Sequence, residues 1–276
     1  MTRGSNFRPS ARIWVNVNNP KSPRPDRLAD AWLDALRRLA DATPRGRRTE
    51  RGAAGTIVTG AAIATLNVAY TMTAEPDLVA LDGCAAELAR LGVPWSIVCR
   101  ADNADAVAAT AARHGLTGRA GMPLMACAAA DAVLDVNTAQ AGRVRPAGAD
   151  AGDVYTEVLA AGFEAPVDAF GTLMGGGVLA APGFTGYLAH VSGVPVATGL
   201  GVLGDAVIGV YNIAVVPAAR GGGLGRAMTA RVLADGFAAG ADVAYLNPSA
   251  AGRPLYESMG FRVVATWTTF SAPEER

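Results

Sequence analysis

Residues Tyr211–Arg226 read YNIAVVPAARGGGLGR, and this stretch constrains the local architecture more tightly than any other. An apolar run of strand character meets Pro217. Arg220-Gly221-Gly222-Gly223-Leu224-Gly225 follows, and then a helical pattern. A strand, a glycine loop and a helix start in that order make a cradle for a pyrophosphate. Glycines let backbone N–H groups approach phosphate oxygens with no Cβ in the way. The helix start adds unpaired N–H donors and a favourable dipole. Arg220 and Arg226 place positive charge at either edge of the loop.

The spacing separates this loop from two commoner ones. There is no Gly-Lys-Ser/Thr ending, as a P-loop requires. A dinucleotide fold wants an acidic residue about 20 residues on, at the end of a second strand. Asp242 lies near that distance but precedes the strand residues Val243–Asn247. After the loop, Leu224, Met228, Val232 and Phe237 recur at helical spacing, which predicts an amphipathic helix over Gly223–Gly240. Gly240 can end it. Asp242–Asn247 reads as a short buried strand and Gly252–Met259 as a short helix. Gly260-Phe261 and a final strand, Arg262–Phe270, follow.

The R-x-x-G-x-G loop with this continuation resembles the acyl-CoA loop of the GNAT superfamily of N-acetyltransferases. The resemblance covers Tyr187–Phe270 and includes Tyr256, four residues before Gly260-Phe261. It implies acetyl transfer from acetyl-CoA, an acyl-donor co-substrate, to an amine by direct attack, with no metal. Backbone groups of Ile213, Ala214, Val215 and Val216, on a fourth strand Val207–Val216, would hold the oxyanion and the pantetheine arm. Arg220, Gly221, Gly222, Gly223, Leu224, Gly225 and Arg226 would hold the pyrophosphate. Asn247 and Ser249 would bond the pantetheine amides, although Ser249 serves equally as a local helix cap. Tyr256 would protonate the leaving thiolate. The structural alternative is a core tyrosine closing its helix over the sheet. Many relatives carry a Glu on the fourth strand as base. Here Tyr211 and Asn212 stand there, which leaves His190, Asp205 or water.

At 276 residues the chain accommodates two domains. Ahead of the loop-bearing unit, Ile63–Thr71 reads as a strand and Asp77–Leu91 as a helix. Pro94–Arg100 is a strand, Asn103–His114 a helix capped by Asn103, and Leu116–Cys127 an extended return. This order repeats that of the second half. The expectation is an α/β (α+β mixed sheet) chain of two tandem GNAT-like units, 1–142 and 143–276. Each is a mixed, mostly antiparallel sheet flanked by helices. Thr73-Ala74-Glu75-Pro76-Asp77 stands where the first unit's loop belongs, and two carboxylates there repel a pyrophosphate. Segments 18–25, 43–55 and 140–150 read as flexible, although Arg143–Arg145 has strand character. Ala151–Phe184 is expected to build the acceptor pocket, with Tyr155, Glu157, Phe163, Glu164, Asp168, Phe170 and the run Met174-Gly175-Gly176-Gly177.

Composition narrows the partners. The 24 basic residues balance 24 acidic ones, so no footprint for nucleic acid or an anionic membrane exists. No signal peptide and no uncharged 18-residue apolar window is present, and three cysteines without metal spacing suit a reducing cytoplasm. The Ala/Gly-rich, Arg-over-Lys composition is associated with GC-rich bacterial genomes. The function that fits is N-acetylation of a small-molecule amine, and a homodimer is compatible with it. The rival readings are a non-catalytic acyl-CoA-binding or regulatory module, and an aminoacyl-transferase of the paired-GNAT type. Neutral charge argues against the latter, which would have to hold tRNA.

Overall fold

The computed structural model describes residues 23–171, 173–174 and 177–273. It opens on α1 (Pro25–Ala42), with Pro25 in the first turn, where a missing N–H costs nothing. Leu28, Trp32, Leu36 and Leu39 recur three or four apart and are buried along one face. The flexible segment expected at 18–25 thus gives way to helix at Pro25. Its first five positions lie outside the described residues. The loop expected at 43–55 is a hairpin instead. There β1 (Arg47–Arg51) pairs antiparallel with β2 (Ala54–Val58). β1 is a sheet edge with mostly exposed, charged side chains, held by the Arg48–Asp41 and Arg51–Glu87 ion pairs. Charge on an edge strand deters pairing with other chains. The same charge makes the segment look like a solvated loop in sequence.

The chain then runs twice through one succession of elements. The first comprises β3 (Asn67–Thr71), α2 (Leu78–Leu88), β4 (Ser96–Arg100), α3 (Ala104–Arg113) and β5 (Gly118–Ala128). A connection carries α4 (Thr138–Ala141), β6 (Val144–Pro146), α5 (Gly152–Phe163) and α6 (Val167–Phe170). The second, preceded by β7 (Phe184–Val191) and β8 (Val194–Gly204) as the first is by β1 and β2, comprises β9 (Val207–Val215), α7 (Leu224–Ala238), β10 (Val243–Leu246), α8 (Arg253–Ser258) and β11 (Arg262–Ser271). β3 and β4 pair in parallel across α2, as β9 and β10 do across α7. Two details depart from expectation. The strand expected from Ile63 starts at Asn67, whose Nδ2 donates to the carbonyls of Ala61, Ile63 and Pro94 and holds those residues in a loop. Asn103 does not cap α3 with its side chain: its backbone is already helical, where a capping residue is extended, and its Nδ2 donates to the Thr73 carbonyl.

All the strands join one mixed sheet in the order β1-β2-β3-β4-β11-β5-β10-β9-β8-β7-β6. The final strand of each succession stands among those of the other. β11 lies between β4 and β5, and β5 lies between β11 and β10. One face is covered by α1, α5 and α6 over a single apolar core that runs through both halves. Trp32 of α1 packs on Trp267 of β11 there, with ring centroids 4.9 Å apart. On the opposite face, α2 and α3 cover the first half and α7 and α8 the second. Among the described residues no helix is long and apolar enough to cross a membrane.

Candidate active site

Strand β9 changes its side-chain parity midway. Val207 and Tyr211 face the α1/α5 core, and Ile208 and Val210 face the α7 core, as period two requires. After Asn212, Ile213 and Val215 face α7 and Ala214 faces α5. Asn212 has φ 52°, at a bulge where Gly199 of β8 stands opposite an extra residue. A bulge bends its strand and re-aims the residues beyond it. β10 accompanies β9 only as far as Gly209, so the two strands part beyond it and leave a gap. Val216 N–H donates to the Val196 carbonyl on the β8 side, at 2.9 Å. Alternation then turns the amides of Ala214 toward β8 and those of Ile213 and Val215 toward the gap. Of the four backbone positions expected to serve a ligand, two face it. Ala214 and Val216 are occupied with the sheet.

The glycine loop closes the end of this gap. Gly221 and Gly223 have φ 81° and 84°, and nothing lies within 4 Å of where a Cβ would stand at either. Gly223 is the N-cap of α7 and caps it with no side chain. The first amides of α7 therefore point out of the helix unpaired. Leu224 anchors the turn in the α7 core, and Gly225 packs between Val215 and Leu255. Arg220 is more engaged than a free positive edge. It donates to the carbonyls of Val215 (3.1 Å) and Gly162 (2.8 Å) and pairs with Glu164 at 2.7 Å. It braces the loop to β9 and to the end of α5. Arg226 donates to the Asp135 carbonyl and to Ser258 Oγ, both at 2.9 Å. The corresponding helix of the first half differs in kind. The Asp77 carboxylate accepts from Ala80 N–H at 2.9 Å and fills the N-terminus of α2 with its own negative charge.

Tyr256, Leu224, Ile213 and Val215 meet in one apolar cluster between α7, α8 and β9. Tyr256 packs edge-on against Phe261, and burial pushes its hydroxyl up to about 12. Asn247 donates through Nδ2 to the Pro123 carbonyl of β5, and Ser249 Oγ accepts from Gly252 N–H. Ser249 Oγ thereby braces the turn that leads into α8, whose N-cap is Gly252. His190 lies on β7, two strands or roughly 10 Å from β9. Asp205 sits in the β8–β9 turn, six residues or roughly 20 Å along the strand from Tyr211. Neither stands at the bulge.

The expected acceptor region contributes its aromatic residues and not its carboxylates. A cavity of about 450 Å3 lies against the bulge, with Phe163, Phe170, Leu200, Tyr211 and Asn212 in its wall. Glu157, Glu164 and Asp168 are exposed elsewhere. Tyr155 is fully buried, its hydroxyl beside Thr198 and Asn212 without a partner at hydrogen-bonding geometry among the described residues. Met174 is buried against Asn212, and Gly175 and Gly176 lie outside the described residues. The opposite wall, with Leu36, Leu39, Ile63 and Leu66, comes from the first half. The helical spacing of Leu28, Trp32, Leu36 and Leu39 is the signal that would have found its helical part. The Tyr211 and Tyr245 hydroxyls share a short hydrogen bond between β9 and β10.

Residues 182–263 match the model of the Acetyltransferase (GNAT) domain. Among solved structures, a GCN5-related N-acetyltransferase from Kribbella flavida is similar over 90% of this chain and 95% of its own, at 20% identity and a TM-score of 0.63. One from Sphaerobacter thermophilus is similar over 79% of this chain and 76% of its own, at 15% identity and a TM-score of 0.53. A conserved protein of unknown function from Staphylococcus epidermidis is similar over 86% and 98%, at 12% identity and a TM-score of 0.55. These likenesses establish the fold across both halves. No curated protein matches the sequence.

Proposed function

We propose that this chain, whose residues 182–263 match the GNAT acetyltransferase domain, acetylates the amine of a small molecule at the expense of acetyl-CoA. The observation that carries the reading is the uncapped start of α7, entered through Gly221 and Gly223 and opening onto the gap between β9 and β10. Unpaired amides at a helix start suit a pyrophosphate, and an extended arm can add to a parted strand edge. The residues present fit the group. Amides of the 221–226 loop hold the phosphates, and Ile213 and Val215 hold the pantetheine arm and the carbonyl oxygen.

When bound, acetyl-CoA supplies the acyl group. A backbone donor aimed at a developing oxyanion is worth about 2.7–4 kcal/mol. Tyr256, kept protonated by burial, donates to the departing thiolate. The proton of the attacking amine leaves without a carboxylate at the bulge. The two successions of elements are two GNAT-like units, 1–142 and 143–276, and only the second holds the donor. Asp77 occupies the corresponding place in the first.

Thiol release from acetyl-CoA over an amine panel tests the reading. Tyr256→Phe is expected to lower kcat by about 100-fold or more while the Kd for acetyl-CoA holds. Arg220→Ala is expected to weaken acetyl-CoA binding by loosening the loop. Release that no amine stimulates, or a Tyr256→Phe enzyme of full activity, overturns it.

A further inference from the structure

The cavity beside the bulge bears on which amines the site takes. Among the described residues sixteen line it, none of them charged, and the polar side chains among these are Thr65, Tyr211 and Asn212. Its volume, about 450 Å3, is that of a site for a small organic molecule. Leu36 and Leu39 on α1, Leu200 and Val202 on β8, and Phe170 and Phe184 form its apolar body. Phe163 stands at the mouth, half exposed at 53%, and stacks on Phe170 at 5.8 Å. The cavity reaches Asn212 and Tyr211, on the side of the bulge opposite the α7 core where the donor arm would lie.

An ammonium group entering such a wall would lose its hydration and gain no counter-charge, which is costly. An amine that is already uncharged at neutral pH loses little. The missing carboxylate on β9 points the same way. A base is needed to strip a proton from an ammonium, and an amine without that extra proton needs none.

We infer that the acceptor is a weakly basic arylamine whose ring carries further apolar groups, bound in a pocket built by both halves of the chain. This rests on the transferase reading for its chemistry but not for its binding. In the reaction the amine nitrogen bonds to the acetyl carbon, the carbon–sulfur bond breaks, and the nitrogen's proton balances the released thiol.

The test uses the full chain, with 4-butylaniline, aniline, spermidine and glucosamine as probes. Binding is measured by calorimetry without donor, and turnover by thiol release with acetyl-CoA. 4-Butylaniline is expected to bind and to be acetylated. Each methylene is worth roughly fourfold in affinity, so aniline is expected to bind on the order of 100-fold more weakly. Ile63→Asp and Phe163→Asp alter partly or largely exposed wall positions and are expected to fold. Each is expected to lower 4-butylaniline affinity at least tenfold. Binding of 4-butylaniline that both variants weaken, without thiol release from any amine, upholds the pocket and fells the transferase reading. Acetylation of spermidine or glucosamine, with no binding of 4-butylaniline, does the reverse. Binding of 4-butylaniline that neither variant weakens also overturns the inference.

Discussion

Raising the pH from about 8 to about 11 reaches few kinds of side chain in this protein. Arginine stays protonated throughout, and Lys21 is the only lysine. The cysteines and tyrosines remain. Cys84, Cys99 and Cys127 are buried and free. Burial raises the Cys84 thiol and pushes Cys99 up to about 12 and Cys127 up to about 11. It also raises the hydroxyls of Tyr155, Tyr187, Tyr211 and Tyr245, and Tyr256 rises to about 12. A group whose folded pKa exceeds its unfolded one gives full stability below the unfolded value. That stability is lost as pH climbs toward the folded value. Each such group costs about 1.4 kcal/mol per pH unit, the thiols from about pH 8.5 and the phenols from about pH 10. Cys99 and Cys127 therefore remove about 3 kcal/mol between about pH 9 and 10, and with the five phenols the loss steepens to about 9 kcal/mol per unit. Whole domains are stable by about 5–15 kcal/mol. Unfolding is expected to complete between about pH 10 and 11. Circular dichroism and phenolate absorbance, followed together along the titration, check it. Phenolate is expected to appear with the loss of ellipticity. Full phenolate absorbance on a chain that keeps native ellipticity would refute the reasoning, because the tyrosines would then be ionising in place.

Asp77→Ala removes the cap of α2 and is expected to cost about 1 kcal/mol in denaturant melts, with acetyl-CoA affinity unchanged by calorimetry. Trp267→Ala empties the contact with Trp32 and is expected to cost about 3–5 kcal/mol. Its melting is expected to stay a single transition, since α1 and β11 serve both halves. Tyr245→Phe leaves the Tyr211 hydroxyl without its partner and is expected to lower stability by about 1–3 kcal/mol, read as a fall in Tm.

What sequence reveals here depends on the range of the interaction. The strand–glycine–helix run was legible because its signals are local. The positive-φ glycines, the uncapped helix start and the 3.6-residue period all lie within Tyr211–Ala238. The repetition of elements was legible for the same reason. The charged hairpin Arg47–Val58 was not, because an edge strand shows solvent-facing residues and no apolar alternation. Arg220 was read as a ligand contact, and Ser249 as a ligand contact or a local helix cap, because both lie in a motif. Within the chain their partners include Glu164 and Gly162, distant in sequence, and the neighbouring Gly252. The helix that carries Leu36 and Leu39 was findable from its spacing, but the wall it forms with Ile63 and Leu66 was not, since nothing in those residues says that α1 crosses onto β8 and β9.

The placing of β5 and β11 governs how the chain is assembled. Arg100 of β4 has Trp267 as its strand partner, so the middle of the sheet closes only when distant residues arrive. Until then β4 and β10 each present an apolar open edge. Such edges invite association with other chains in partly folded protein. The same arrangement makes the first half indispensable whatever it binds. Without β5, β10 loses one of its two neighbours, and without β4 as well, β11 loses both. Drift can erase the chemistry of that half while its strands are held in place by the sheet they complete.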